Sequence, residues 1–84
     1  MTWKIEFTKE ALRDISKLET KILDRILDKL EQTRENPHHY FQRLVGHDDF
    51  KFRVGDYRIL VLLLHDEKII IQKVGHRKNV YKRL

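Results

Sequence analysis

The residues of this chain best suited to chemistry are Lys51, Arg53, Arg58, His76, Arg77 and Tyr81. Phe50 to Arg58 reads FKFRVGDYR, in which apolar and basic residues alternate. Successive side chains of a β-strand point to opposite faces, so Phe50, Phe52 and Val54 face a core while Lys51 and Arg53 face water or a ligand. Gly55-Asp56 reads as a tight turn that sets Arg58 on the strand opposite Lys51 and Arg53. The next strand ends at Gly75-His76-Arg77, close to Arg58, so the whole set is expected on one concave face. These side chains meet the needs of RNA transesterification. A 2′-hydroxyl must lose a proton, the phosphate gains charge as it becomes pentacovalent, and the leaving 5′-oxygen must be protonated. Arg and Lys stabilise the developing charge; Lys, His or Tyr move protons, and a His does so most readily near pH 7. Tyr81 can also stack on a base. The alternatives are a solvated strand face, a Tyr81 that closes the edge of the core and a His76 that is an ordinary polar residue at a strand end.

Other chemistries find little support. There is no cysteine, hence no disulfide framework or thiolate metal site. His38 and His39 are adjacent and cannot both face one ion from a regular element, and His47 with Asp48-Asp49 reads as a polar loop. No glycine-rich phosphate loop occurs, and Ser16, the single serine, lies in a helical segment. No cofactor is expected. The carboxylates fall mainly on outer helix faces, where an acid/base pair has no obvious place.

The charge distribution points the same way as the cationic set. Residues 1–40 carry eight Lys/Arg and eight Asp/Glu, whereas residues 41–84 carry ten and five. The net charge of +5 therefore belongs to the second half, and it suits a nucleic acid or an acidic protein partner. MTWKIEFTKE lacks the apolar run of a secretory signal, and Leu60–Leu64 is too short to span a membrane, so a cytoplasmic location is expected.

The elements that must position these residues fit one domain over residues 1–84. Trp3, Ile5 and Phe7 alternate with polar residues as in a half-buried strand. Thr8 can cap a helix over Lys9–Leu18. Thr20 can cap a second, whose apolar stripe is Ile22, Leu23, Ile26, Leu27 and Leu30 and which ends at Asn36-Pro37. Residues 37–49 form a loop anchored by Tyr40, Phe41, Leu44 and Val45, part of it suited to an edge strand. Tyr57–Leu64 is apolar on both faces beyond Arg58 and belongs at the centre of the sheet. A turn at residues 65–68 leads to a strand over Ile69–Val74, which Gly75 stops. The order β-α-α-β-β-β predicts an α+β fold, an antiparallel sheet with an αα-hairpin packed on one face.

RLVG at Arg43–Gly46, FKFRVGDYRIL at Phe50–Leu60 and VGHRKNVY at Val74–Tyr81, with this element order, resemble the RelE/ParE superfamily of toxins from type II toxin–antitoxin modules. The resemblance covers essentially the whole chain and is stronger to the RelE branch. It implies a metal-independent endoribonuclease, an mRNA interferase acting on mRNA in the 30S ribosomal A site among rRNA and so inhibiting translation. It implies that Arg58 and Arg77 stabilise the phosphate and that Lys51 and Arg53 stabilise charge or activate the 2′-hydroxyl. Tyr81 then stacks on a base or assists proton transfer. Two positions depart from the best-known pattern: Arg53 and His76 stand where it has lysines. Arginine gives up no proton near neutral pH, so His76, alone or with Lys51, becomes the candidate proton carrier. The resemblance also implies a RelB-like antitoxin that wraps the toxin and masks its basic face. The apolar outer face of Ile59–Leu64 suits such a partner, and burial within the fold explains it equally well. The ParE branch, which poisons DNA gyrase, and a catalytically inactive binding module are the competing readings.

Overall fold

The computed structural model describes residues 2–43 and 49–76. Its elements are β1 (Lys4–Phe7), α1 (Lys9–Ile15), α2 (Thr20–Gln32), α3 (Pro37–Tyr40), β2 (Gln42–Arg43), β3 (Phe50–Val54), β4 (Tyr57–Leu64) and β5 (Lys68–His76). The strands form one five-stranded sheet in the order β1-β5-β4-β3-β2. The α+β architecture matches expectation, with β4 central as its two-faced apolar sequence requires. The sheet is mixed rather than antiparallel throughout, because β1 runs parallel to β5. Hairpin connections make β3, β4 and β5 antiparallel, whereas β1 reaches the sheet through two helices and is free of that constraint.

One face of the sheet is the core. Phe50, Phe52 and Val54 pair with Val61, Ile59 and Tyr57, and Ile59, Val61 and Leu63 pair in turn with Val74, Ile71 and Ile69. Directly paired residues share a face, so these side chains all meet the helices. Ala11 of α1 and Ile26 and Leu30 of α2 complete the cluster. A β-bulge keeps this face continuous. On β4 the step from Ile59 to Val61 is two residues, but on β5 the matching step from Val74 to Ile71 is three, with Gln72 as the extra residue. Without the bulge Val74 would point away from the core. Its signature is the Gln72-Lys73 interruption of an otherwise apolar strand.

Helix α1 covers the edge of β5 where β1 stops. Thr8 donates its hydroxyl to Gln72 O at 3.0 Å and accepts from Ala11 N at 3.1 Å, so it caps α1 and ties it to the bulge. Asp14 accepts the Val74 N–H at 3.0 Å, and the Lys73 ammonium pairs with Glu10. Bulge and edge groups that would otherwise lack partners are thereby satisfied. At the other end of β5, Lys68 pairs with Glu6 and Asp66, each at 3.5 Å, and these carboxylates raise its pKa above the ordinary lysine value.

The helix limits differ from the sequence reading. Helix α1 ends at Ile15 rather than Leu18, and Glu19, not Thr20, occupies the N-cap of α2 without a side-chain bond. Helix α2 stops at Gln32, before Asn36-Pro37. Buried Thr33 donates its hydroxyl to Leu30 O at 2.6 Å, and Arg34 is taken up by β1, its O accepting from Trp3 N at 2.9 Å. Pro37 instead opens α3, where its missing N–H costs nothing. Strand β5 runs through Gly75 to His76 because Gly75 pairs with Arg58.

Two stability measurements check this arrangement. Leu30 is 1% exposed and Leu27, on the same helix, is 39% exposed. Leu30→Ala is expected to lower the unfolding free energy by about 2–5 kcal/mol in urea titrations, and Leu27→Ala by less than about half of that. Equal losses would show that α2 does not bury the face described. Gly55 has φ +58° in the β3–β4 turn, and a Cβ there would lie 3.4 Å from Arg25 Nη1. Gly55→Ala is therefore expected to cost about 1–2 kcal/mol, an unchanged midpoint contradicting the turn geometry.

Candidate functional site

The face of β3 and β4 turned away from the helices carries the cations. Gly55 is the first of the two turn residues, and its positive φ, with none at Asp56, is the pattern of a type II′ hairpin. That turn fixes the register: Arg53 lies directly across from Arg58, and Lys51 across from Leu60 on one side and Gln42 on the other. Lys51, Arg53 and Arg58 line a cavity of about 360 Å³ together with Tyr40, Gln42 and Phe52.

The electrostatics of the site favour an anion. Two arginines stand directly across from each other on the hairpin, a like-charge pairing that destabilises a sheet. Arg58 is only 9% exposed, and its Nη1 makes long contacts with the carbonyl oxygens of Tyr57 (3.3 Å) and Gly55 (3.4 Å). Among the described residues every ion pair lies elsewhere, on Arg34, Lys68 and Lys73. Asp49, two residues before Lys51, accepts a hydrogen bond from Gln72 Nε2 at 2.8 Å. The bulge residue thus holds a carboxylate that lies close to Lys51 in sequence. A buried guanidinium without a carboxylate partner is costly, and an oxyanion in the cavity would relieve both that cost and the Arg53–Arg58 repulsion.

Sequence reading placed six residues on this face, and the structure brings three of them together. His76 lies elsewhere: its register partner is Tyr57, with ring centroids 5.7 Å apart and planes at 77°. Tyr57 belongs to the helix-covered face, and it is Gly75 that stands across from Arg58. The bulge at Gln72 changes the phase of β5, so alternation counted along the sequence does not carry His76 to the cations. Arg77 and Tyr81 lie outside the described residues, as do Leu44–Gly46 of the RLVG motif. Two contributors were missed. Tyr40 and Gln42 line the cavity because α3 and β2 run beside β3. Arg25 belongs to the outer face of α2 by its helical position, yet its guanidinium reaches the Gly55 turn. The alternation of Gln42 with buried Phe41 was the available signal for Gln42.

Comparisons with known proteins bear on the family and the fold. The family model for the ParE toxin of type II toxin–antitoxin system, parDE, matches residues 5–81. A protein named RelE1 from Methanocaldococcus jannaschii is 30% identical over 88 aligned residues, covering 98% of this chain and 98% of that protein. Among solved structures, the RelBE2 toxin–antitoxin complex of Mycobacterium tuberculosis contains a chain with TM-score 0.81 and 26% identity, covering 92% of this chain and 100% of that one. A chain of the RelB–RelE antitoxin–toxin complex from Methanococcus jannaschii gives TM-score 0.74 at 26% identity, covering 93% of this chain and 96% of that one. A five-stranded sheet with helices on its core face, a match across nearly all the chain and relatives of full length converge on one conclusion: the chain belongs to the RelE/ParE superfamily and is a toxin of a type II toxin–antitoxin module.

Proposed function

We propose that this toxin is an endoribonuclease that cuts mRNA on the ribosome by 2′-hydroxyl transesterification, without a metal ion, and so inhibits translation in the cytoplasm. The observation that carries the reading is the Arg53–Arg58 pair beside Lys51 in one cavity, with no carboxylate paired to it among the described residues. The 2′-oxygen attacks phosphorus as its proton leaves, the P–O5′ bond breaks, and the 5′-oxygen takes up a proton. A 2′,3′-cyclic phosphate and a 5′-hydroxyl result. Arg53 and Arg58 stabilise the pentacovalent phosphate, Arg58 in a fixed position and Arg53 from the exposed side. Lys51 is the cation in the cavity able to exchange a proton, since a guanidinium does not. Arg77 is assigned to the phosphate and Tyr81 to the base on the family pattern. His76, packed edge-on against Tyr57, is assigned proton transfer on that pattern alone.

A RelB-like antitoxin is the proposed partner, supported by structural neighbours that are RelB–RelE complexes. A basic cavity of this kind suits masking by an acidic segment of such a protein. The family model carries the ParE name, which favours a second reading, a DNA gyrase poison.

Inducible expression separates the two readings. The nuclease reading expects growth arrest with cuts inside codons, seen by primer extension on cellular mRNA. DNA breaks with intact mRNA would replace it with the gyrase reading. Within the site, Arg58→Ala is expected to lower cleavage by about 10²–10³-fold. Arg58→Lys should restore only part of it, because an ammonium lacks the planar fork that binds two phosphate oxygens. Undiminished cleavage by Arg58→Ala would remove Arg58 from the site. His76→Ala discriminates the proton carriers. A loss of about 10²-fold or more supports His76, and wild-type cleavage leaves that role to Lys51.

A further inference from the structure

Beyond the cations, the cavity has an aromatic wall and an amide wall that phosphate chemistry does not require. Tyr40 is the last residue of α3 and is 44% exposed, one of three large hydrophobic side chains left open to solvent among the described residues. Its position is nonetheless fixed. The next residue, Phe41, is 5% exposed and packs edge-on against Phe52 of β3 with ring centroids 5.1 Å apart. Phe41 therefore anchors the end of α3 in the core, and Tyr40 stands at the cavity wall without serving the core itself. Gln42 follows on β2, exposed and directly across from Lys51, so it shares the face that carries the cations.

We infer that Tyr40 and Gln42 are specificity-determining residues of this site: Tyr40 stacks on a nucleobase adjacent to the bound phosphate, and Gln42 hydrogen-bonds that base's edge. The inference rests on the RNA reading of the cavity and extends it to the ligand's base. Cations supply sequence-independent affinity for a phosphate backbone. An exposed aromatic ring supplies stacking, which single-stranded nucleic acid offers and a duplex does not. A carboxamide carries both a donor and an acceptor and so distinguishes base edges, whereas Lys and Arg only donate. The three chemistries line one cavity of about 360 Å³.

Fluorescence anisotropy with short labelled oligoribonucleotides of A, C, G and U, across a salt series, tests this on the intact protein. Tyr40→Ala is expected to weaken binding about tenfold with the slope of log K against log salt unchanged, because stacking releases no counterions. Tyr40→Phe should retain wild-type affinity. Gln42→Ala should narrow the spread of affinities among the four oligonucleotides. Arg58→Ala, in contrast, should reduce the salt slope by about 0.7, the signature of one lost phosphate contact. Circular dichroism melts confirm that each variant is folded. Wild-type affinity and base preference in both Tyr40→Ala and Gln42→Ala, with Arg58→Ala still impaired, overturn the inference and leave the RNA reading standing. Equal losses in Tyr40→Ala and Tyr40→Phe overturn the stacking role. No binding of any oligonucleotide by the wild-type protein overturns this inference, whereas the RNA reading falls only if cellular mRNA stays uncut as well.

Discussion

Arg53 and Arg58 face each other across a two-residue turn, and much of the molecule serves to hold them there. Like charges directly opposite one another weaken a sheet, so the hairpin cannot owe its register to the residues on this face. The opposite face supplies it. Phe50, Phe52 and Val54 pair with Val61, Ile59 and Tyr57, and a slip of one residue would turn that apolar set toward solvent. Gly55 closes the turn in a conformation that an L side chain resists. Core burial on one side of the strands thus enforces an electrostatic conflict on the other.

The conflict is tolerable because β4 lies at the centre of the sheet. Ile59, Leu60 and Val61 are buried, and β4 is flanked by β5 along its length and by β3 over residues 57–61. The Gln72 bulge matters on both faces. It restores Val74 to the core, and its side-chain amide holds Asp49. Helix α1 then closes the exposed edge of β5 through Thr8, Asp14 and Glu10. In a chain of 84 residues, with little core to spare, each of these contacts weighs on whether the cationic face keeps its shape. Stability is concentrated on the helix side, and the cost of assembling charge is concentrated on the other.

Chemical roles within the cavity follow from what each side chain can do. Guanidinium groups hold charge without yielding protons, so Arg53 and Arg58 suit an oxyanion but neither suits proton transfer. Lys51 shares their cavity, whereas His76 packs on Tyr57 behind the strand. The Tyr40 and Gln42 walls add groups of a different kind, an aromatic surface and an amide, beside the cations.

The sequence by itself determined the α+β class, the core-facing alternation of Phe50, Phe52 and Val54, the Gly55-Asp56 turn and the grouping of Lys51, Arg53 and Arg58. All of these depend on neighbours in the chain: period-two alternation, a turn glycine and the hairpin it closes. Tertiary structure decided what depends on distant partners. The parallel pairing of β1 with β5, the end of α2 at Thr33, the approach of Arg25 to the Gly55 turn and the entry of Tyr40 and Gln42 to the site arise from elements far apart in sequence. His76 is the sharpest case. The nearness of the strand's end to Arg58 puts it with the cations, but one extra residue at Gln72 changes the phase of β5 and sets it against Tyr57. Alternation is a local rule, and a bulge resets it according to which residues the helices across the sheet must cover.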